Sequence, residues 1–318
     1  MAIRTIPNAS ELDVFLRDFG LGAPSRICGI EAGTVNTSYA VTLESGRYFL
    51  RLYEEQGHEG ATRETALLVH LAASGIPTPM PIATPSGARV RTLAGKPAAL
   101  FPWIDGEMLC QRAVTPKAAW AVGNALARIH VISAPVDIAH ALGGGRFGPQ
   151  DLLARCDRVA TSNDPDARAQ AEALRSEVVN VTRRRNPALA TGLVHGDLFR
   201  DNVLWQQGKI AALLDFESAY VGPFAYDLAV TILSWCFGDT LLPDVAHAMV
   251  RGYREERELS QSERDGLFDE AILATLRFTI TRITDEAIRI GKRWQRFVAR
   301  RNVLEQLGPQ GLRKVLGL

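Results

Sequence analysis

Leu193-Val194-His195-Gly196-Asp197-Leu198-Phe199-Arg200-Asp201-Asn202 is the stretch on which the reading of this chain turns. An apolar pair runs into a turn-forming His-Gly-Asp, and an asparagine stands five residues after Asp197. Phosphoryl transfer to a hydroxyl needs a carboxylate that orients the attacking oxygen and accepts its proton. It also needs an amide oxygen close by for magnesium. Asp197 and Asn202 supply these two groups from one loop. Downstream, residues 203–205 and 210–214 read as two strands around a turn at 206–209, and the second strand runs into Asp215-Phe216-Glu217. A hairpin brings its ends together, so Asp215 is expected near Asn202, where two oxygens and the phosphates of a nucleotide share a magnesium ion.

The H-x-D-x-x-x-x-N spacing is that of kinase catalytic loops. With Asp215-Phe216-Glu217 and Gly222-Pro223-Phe224-Ala225-Tyr226-Asp227-Leu228-Ala229, it resembles the aminoglycoside phosphotransferase/choline kinase superfamily, over residues 29–285. The resemblance implies ATP and Mg2+ as cofactors and transfer of the γ-phosphoryl group to a small-molecule hydroxyl. It implies Asp197 as catalytic base, Asn202 and Asp215 as metal ligands, and His195 and Asp227 as structural braces of the loop. It also implies an α+β, protein-kinase-like bilobal fold, with a small β-rich N-lobe and a larger, mainly helical C-lobe.

The N-terminal third agrees with that implication. Strands are expected at 26–31, 37–43 and 47–53, the last two joined through Glu44-Ser45-Gly46, where glycine tolerates positive φ. A helix is expected at 61–74, ended by Gly75 and Pro77, and a further strand at 96–102. The segment Glu31 to Tyr39 lies where the superfamily covers the phosphates, which implies ATP contacts at Gly33, Asn36, Thr37 and Ser38. It carries one glycine rather than a G-x-G-x-x-G run, and by itself it reads as a hairpin loop. Arg51 stands where kinases carry the strand lysine. Glu64 shares a helix face with Leu68 and Leu71, and a near-buried carboxylate needs a cation, which Arg51 can provide. Residues 98–104, with Phe101 and Ile104, form the linker whose backbone meets adenine by the same resemblance.

Beyond Asp105-Gly106 the pattern turns helical. Helices are expected at 115–130 and 151–184, a loop at Gly143-Gly144-Gly145, short strands through 193–215, and helices from 224 onward. Ser260 and Glu263 form a capping box before a helix running to 290. The boundary is placed at 103–106, giving an N-terminal nucleotide-binding lobe at 1–103 and a C-terminal catalytic and substrate-binding lobe at 104–318. His130 ends an apolar stripe and reads as a core histidine.

The bulk composition excludes several classes. Hydrophobic residues make up 47% of 318, enough to bury a sizeable core, and the formal net charge is +1, without the basic excess that phosphate neutralisation demands. No nucleic-acid partner is therefore expected. The four cysteines include no C-x-x-C pair, so a zinc ribbon is not expected. No apolar run approaches the roughly 20 residues of a membrane span, and the first residues do not form a signal peptide. The expectation is a cytoplasmic protein acting on a small-molecule substrate, with the oligomeric state left open.

For the acceptor, the helix Ala274-Thr275-Leu276-Arg277-Phe278-Thr279-Ile280-Thr281-Arg282-Ile283-Thr284-Asp285 resembles the C-terminal helix of bacterial homoserine kinases of this superfamily. Trp235-Cys236-Phe237 points the same way. An amino-acid substrate needs a cation for its carboxylate and an anion for its ammonium. Arg277 or Arg282 is available for the first, and Asp285 or Glu217 for the second. Choline, ethanolamine, hydroxylysine or an aminoglycoside are the alternative acceptors. A nucleotide-binding pseudokinase is the alternative outside enzymes, and only Arg51 favours it.

Overall fold

The chain opens on a helix that Asn8 and Glu11 set up. In α1 (Ala9–Asp18) the Asn8 side chain accepts from the Glu11 amide, and the Glu11 side chain accepts from the Asn8 amide. Leu12, Phe15, Leu16 and Phe19 fall at i, i+3, i+4 and i+7, so one face is apolar and is buried. This helix was not anticipated from the sequence. The structure is a computed structural model and describes all residues except 1–2, 32–34, 133–134, 143–144, 146 and 286–293.

Two compact units are present: residues 1–107 with 211–217, and residues 108–210 with 218–318. In the first unit, β1 (Arg26–Ile30), β2 (Thr37–Leu43), β3 (Gly46–Leu52), β4 (Val90–Leu93) and β5 (Lys96–Pro102) form an antiparallel sheet in the order β1-β2-β3-β5-β4. The β2–β3 turn is as expected, with Gly46 at φ 138°. Strand β4 was not anticipated: with four residues it has too little pattern to stand out. Tyr39, Val41, Leu43, Leu50, Leu52, Leu93, Ala98 and Leu100 close on the apolar face of α1 as one core. Helix α2 (His58–Ala73) begins three residues before the expected start and carries Glu64 among its buried residues.

The second unit is mainly helical. Helix α3 (Pro116–Val131) is capped by Thr115, which accepts from Ala118, with proline at its first position. Next come α4 (Val136–Leu142), α5 (Pro149–Ala160), α6 (Pro165–Ala169) and α7 (Ala171–Arg184). The single helix expected over 151–184 is thus three. Pro165 lacks the amide that a continuing helix needs, and Asp164 restarts the chain by accepting from the Asp166 amide at 3.1 Å. Of the glycine loop, Gly145 is described, at φ 84°, whereas Gly143 and Gly144 lie outside the described residues.

Strand β6 (Thr191–Val194) leads into the His195–Asn202 loop. Strands β7 (Val203–Gln206) and β8 (Lys209–Leu213) form the expected hairpin, turned at Gln207 and Gly208. Strand β9 (Tyr220–Pro223), which was not anticipated, pairs antiparallel with β6. Helices α8 (Phe224–Trp235), α9 (Pro243–Glu256), α10 (Gln261–Thr284) and α11 (Gln295–Leu316) complete the unit. The Ser260–Glu263 capping box is present at the start of α10. The helix ends at Thr284 with Asp285 as its C-cap, short of the expected 290, and residues 286–293 lie outside the described residues. Helices α3 and α9 approach closely at glycines: a Cβ on Gly123 would overlap the Met249 carbonyl, and one on Gly252 the Trp120 carbonyl.

Candidate active site

In the second unit, the loop after β6 is gripped from below by one carboxylate. Asp227, fully buried on α8, accepts from the amide of His195 at 2.7 Å and from the amide of Gly196 at 2.8 Å. Burial alone would raise Asp227, but His130, His195 and the Gly196 amide outweigh it and hold the carboxyl below its ordinary value. The support continues outward. His130 Nε2 lies 3.0 Å from Asp227, its Nδ1 lies 2.7 Å from the Tyr253 hydroxyl, and Arg257 donates to that hydroxyl at 3.1 Å. Burial depresses His130, so at neutral pH it is a neutral imidazole. Since Arg257 already donates to the tyrosine oxygen, the tyrosine donates to Nδ1 and Nε2–H donates to Asp227. His130 is thus the expected core histidine, and it also has an orienting role.

Gly196 answers two steric demands. Its φ is +77°, and a Cβ would sit 2.5 Å from the Ser218 carbonyl. From Gly196 onward, four successive loop carbonyls find donors. Arg277 Nη1 donates to the Gly196 carbonyl at 2.6 Å. Asn202 Nδ2 donates to the Asp197 carbonyl at 2.8 Å, and Trp235 Nε1 to that of Leu198 at 2.9 Å. The Asn202 amide closes the turn on the Phe199 carbonyl at 3.0 Å. A loop whose carbonyls are bonded in this way has little freedom, so the Asp197 carboxylate is presented in a fixed direction. The bond from Asn202 Nδ2 also orients its side-chain oxygen away from the Asp197 carbonyl.

Arg277 is buried on α10 and stacks between two rings, with its guanidinium carbon 4.5 Å from the Phe147 centroid and 4.3 Å from that of Phe278. Its Nη2 is 3.7 Å from Asp197 Oδ1. A buried guanidinium therefore stands beside the proposed base, 80 residues away in sequence. Burial would lower Arg277, but Tyr226 and Asp197 outweigh it and keep it charged.

The first unit gathers a second charged cluster. Arg51 Nη1 contacts Glu64 at 2.9 Å and Glu217 at 3.5 Å. Asn36 Nδ2 donates to the same Glu217 oxygen, and Asn36 Oδ1 accepts from the Glu54 amide at 3.2 Å. Burial would lower Arg51, but Glu64, Glu217 and Asp215 hold it above its ordinary value. Burial, with Glu217 and Asp215, pushes Glu64 up to about 8 against the pull of Arg51. Glu64 and Glu217 contact the same guanidinium, and burial first, with the neighbouring negative charge second, favours the protonated form of Glu64.

Asp215 sits at φ +62°, a left-handed conformation that non-glycine residues seldom adopt and that collects at functional sites. Its Oδ1 is buried and has no hydrogen-bond partner. An unpaired carboxylate oxygen in a cluster with surplus negative charge fits a divalent cation such as magnesium, which takes few protein carboxylates and completes its shell with phosphate oxygens and water.

The other expected residues are placed as follows. Thr37 is on β2, and its hydroxyl donates to Glu54 at 2.6 Å. Ser38, also on β2, is opposite Arg51 in the register and is buried. Phe101 is buried on β5, with its ring 6.2 Å from that of Phe49, and Ile104 is half-buried just beyond the strand. Gly33 lies outside the described residues. Arg282 stacks on Phe297 at 5.2 Å, and Asp285 is paired with Arg155 and Arg158. Sequence reasoning did not find the roles of Trp235, Tyr253 and Arg257. Trp235 was noticed only for its resemblance to relatives.

The profile described as "Phosphotransferase enzyme family" matches residues 26–259, and the chain belongs to that family. It is an ATP-dependent small-molecule kinase. Among its relatives, the homoserine kinase of Caulobacter vibrioides is 34% identical over 90% of each chain. That of Xanthobacter autotrophicus is 32% identical over 90% of this chain and 88% of its own. Among solved structures, spectinomycin phosphotransferase in complex with ADP and spectinomycin superposes with a TM-score of 0.68 at 19% identity, covering 99% of this chain and 98% of that one. The ethanolamine kinase of Plasmodium vivax gives 0.65 at 17%, covering 90% and 84%. The protein-kinase-like α+β fold, with its sheet-bearing N-lobe and helical C-lobe, is the fold expected from the sequence. No helix among the described residues is long and apolar enough to cross a membrane.

Proposed function

We propose that this protein transfers the γ-phosphoryl group of ATP to the side-chain hydroxyl of L-homoserine, forming O-phospho-L-homoserine on the way to threonine. The observation that carries the acceptor is the similarity, over nine-tenths of both chains, to homoserine kinases. Asp197 is the base: it orients the hydroxyl and takes its proton as the oxygen attacks. Asn202 and Asp215 would hold Mg2+, which neutralises charge on the transferring phosphoryl group when bound. The N-terminal lobe would carry the nucleotide, with Gly33, Asn36, Thr37 and Ser38 over the phosphates and Arg51, paired with Glu64, in the place of the strand lysine. Because the Thr37 hydroxyl is engaged with Glu54, its contribution would come from the backbone. The linker at Phe101 and Ile104 would meet adenine through backbone groups.

Of the candidates for the acceptor, Arg277 is favoured for the carboxylate because it stands beside Asp197. Arg282 and Asp285 are engaged with Phe297 and with Arg155 and Arg158 respectively, and Glu217 with Arg51 and Asn36.

The test is ATP consumption with L-homoserine, L-serine, L-threonine, choline, ethanolamine, hydroxylysine and kanamycin as acceptors. Turnover with homoserine far above the others is expected. Preference for another acceptor would overturn the homoserine assignment and leave the kinase chemistry of Asp197 in place.

A further inference from the structure

A cavity of about 240 Å³ lies wholly within the second unit, against the Gly196 side of the catalytic loop. It is smaller than the roughly 300–1,000 Å³ of sites for drug-sized ligands, which suits a small acceptor. Its charged lining is one-sided. Arg185 and Arg277 are both present, and no carboxylate is among the described lining residues. Glu270 holds Arg185 in a two-pronged pair, at 2.7 and 2.9 Å. Arg277 is different: Nη1 is on the Gly196 carbonyl, Tyr226 also bonds the guanidinium and Asp197 stands at 3.7 Å, but Nε is buried without a hydrogen-bond partner. A buried, unpaired donor on a cation favours an anion beside it. A polycationic acceptor would meet two guanidinium groups and no carboxylate among the described lining residues.

One wall of the cavity is Tyr220, whose ring lies close to Gly222 of its own strand and to Gly145 and Gly196 of two other segments. A Cβ on Gly222 would overlap the ring, one on Gly145 would approach within 2.7 Å, and one on Gly196 within 3.4 Å. Glycines at these places let the backbone come close to the tyrosine ring, which leaves the ring little room to move.

We propose that this cavity is the acceptor subsite, that Arg277 binds the carboxylate of a short hydroxy-amino acid there, and that Tyr220 is the specificity-determining residue that limits acceptor size. This deepens the homoserine reading and rests on it. Arg277 then has two tasks: Nη1 holds the loop that presents Asp197, and the unpaired Nε is left to receive the substrate. The acceptor's hydroxyl is thereby set at a fixed reach from its carboxylate.

The experiment compares wild type, Arg277→Met, Tyr220→Ala and Gly222→Ala with three acceptors. These are L-homoserine, 3-amino-1-propanol (the same chain without the carboxylate), and a 2-amino-4-hydroxy acid with a bulky substituent at carbon 3. In Arg277→Met, the preference for homoserine over 3-amino-1-propanol in kcat/KM should fall at least tenfold. In Tyr220→Ala, the bulky acid should gain at least tenfold relative to homoserine. Gly222→Ala, which displaces the ring without removing it, should shift the same ratio. Loss of the loop-bracing role alone would slow all acceptors equally, and unchanged ratios would overturn the proposal. A direct measurement separates this from the homoserine assignment: calorimetric binding of L-2-aminobutyrate, the hydroxyl-free analogue, should weaken at least tenfold in Arg277→Met. Equal affinity in both proteins would overturn the subsite even if homoserine is the substrate. If wild type does not turn over homoserine yet binds other short carboxylates through Arg277, the acceptor assignment fails and the subsite stands.

Discussion

His130 faces Asp227 across 3.0 Å, and both side chains are fully sealed from solvent. His130 is held below its ordinary value of 6.5, by burial first and by Arg257 as well, so the unfolded chain binds a proton that the fold refuses. Stability should therefore fall as pH drops below about 6.5, at up to roughly 1.4 kcal/mol per pH unit for one proton. Urea midpoints at pH 7.5 and 5.5 measure it. His130→Gln should flatten that fall, and an unchanged slope in the variant would assign it to other groups.

Asp227→Asn tests the grip on the loop. The two amides of His195 and Gly196 would face one oxygen and one donor instead of two acceptors. Breaking a buried charged network in this way costs about 3–5 kcal/mol. The expected result is a lowered urea midpoint together with at least a tenfold loss of kcat. Wild-type values for both would remove Asp227 from its bracing role.

Asp197→Ala should lower kcat by about 10²–10⁴-fold, the usual worth of a positioned acid–base group. Asp215→Ala should cripple the metal-dependent activity, read as a large rise in the magnesium concentration needed for half-maximal rate. Near-normal turnover in the first variant, or an unaltered magnesium requirement in the second, would contradict the assigned roles.

Glu64, pushed up to about 8, holds a proton that the unfolded carboxyl gives up near 4.5. Its contribution to stability is complete below about 4.5 and is lost as pH rises through about 8. Thermal midpoints should accordingly decline across that window, and Glu64→Gln, which mimics the protonated carboxyl, should flatten the decline. A variant that declines as steeply as wild type would place the titration elsewhere.

Gly252→Ala should destabilise the helical unit although alanine is the better helix former. The added Cβ would overlap the Trp120 carbonyl on the facing helix, and backbone cannot swing aside as a flexible side chain can. Overpacking of this kind costs about 1–3 kcal/mol. A chemical denaturation curve decides it, and a stabilised variant would show that α3 and α9 separate without strain.

The catalytic-type loop and the hairpin after it were legible because both are short-range features. His195 to Asn202 is one loop, and Asp215 follows after a single hairpin, so spacing alone suggested a shared role. The missed elements are of two kinds. Strands β4 and β9 are four residues each, too short for alternation to rise above chance. Helix α1 was different: the Asn8–Glu11 capping box and the Leu12, Phe15, Leu16, Phe19 stripe were both present in the sequence and went unread. The break at Pro165 was likewise readable, since a proline preceded by aspartate starts helices rather than continuing them.

By itself, the sequence determined the local devices: the capping boxes, the β2–β3 turn, the left-handed glycine before Asp197, and the residue types that phosphoryl transfer requires. Tertiary structure alone decided which distant groups complete them. Arg277 meets Gly196, Trp235 meets Leu198, and His130 meets Asp227, at separations of 81, 37 and 97 residues. Helical periodicity could mark these three as facing inward. It could not say which carbonyl or carboxylate each would reach, because that depends on how whole helices pack, and packing is set by the sum of many weak, non-directional contacts rather than by any one residue.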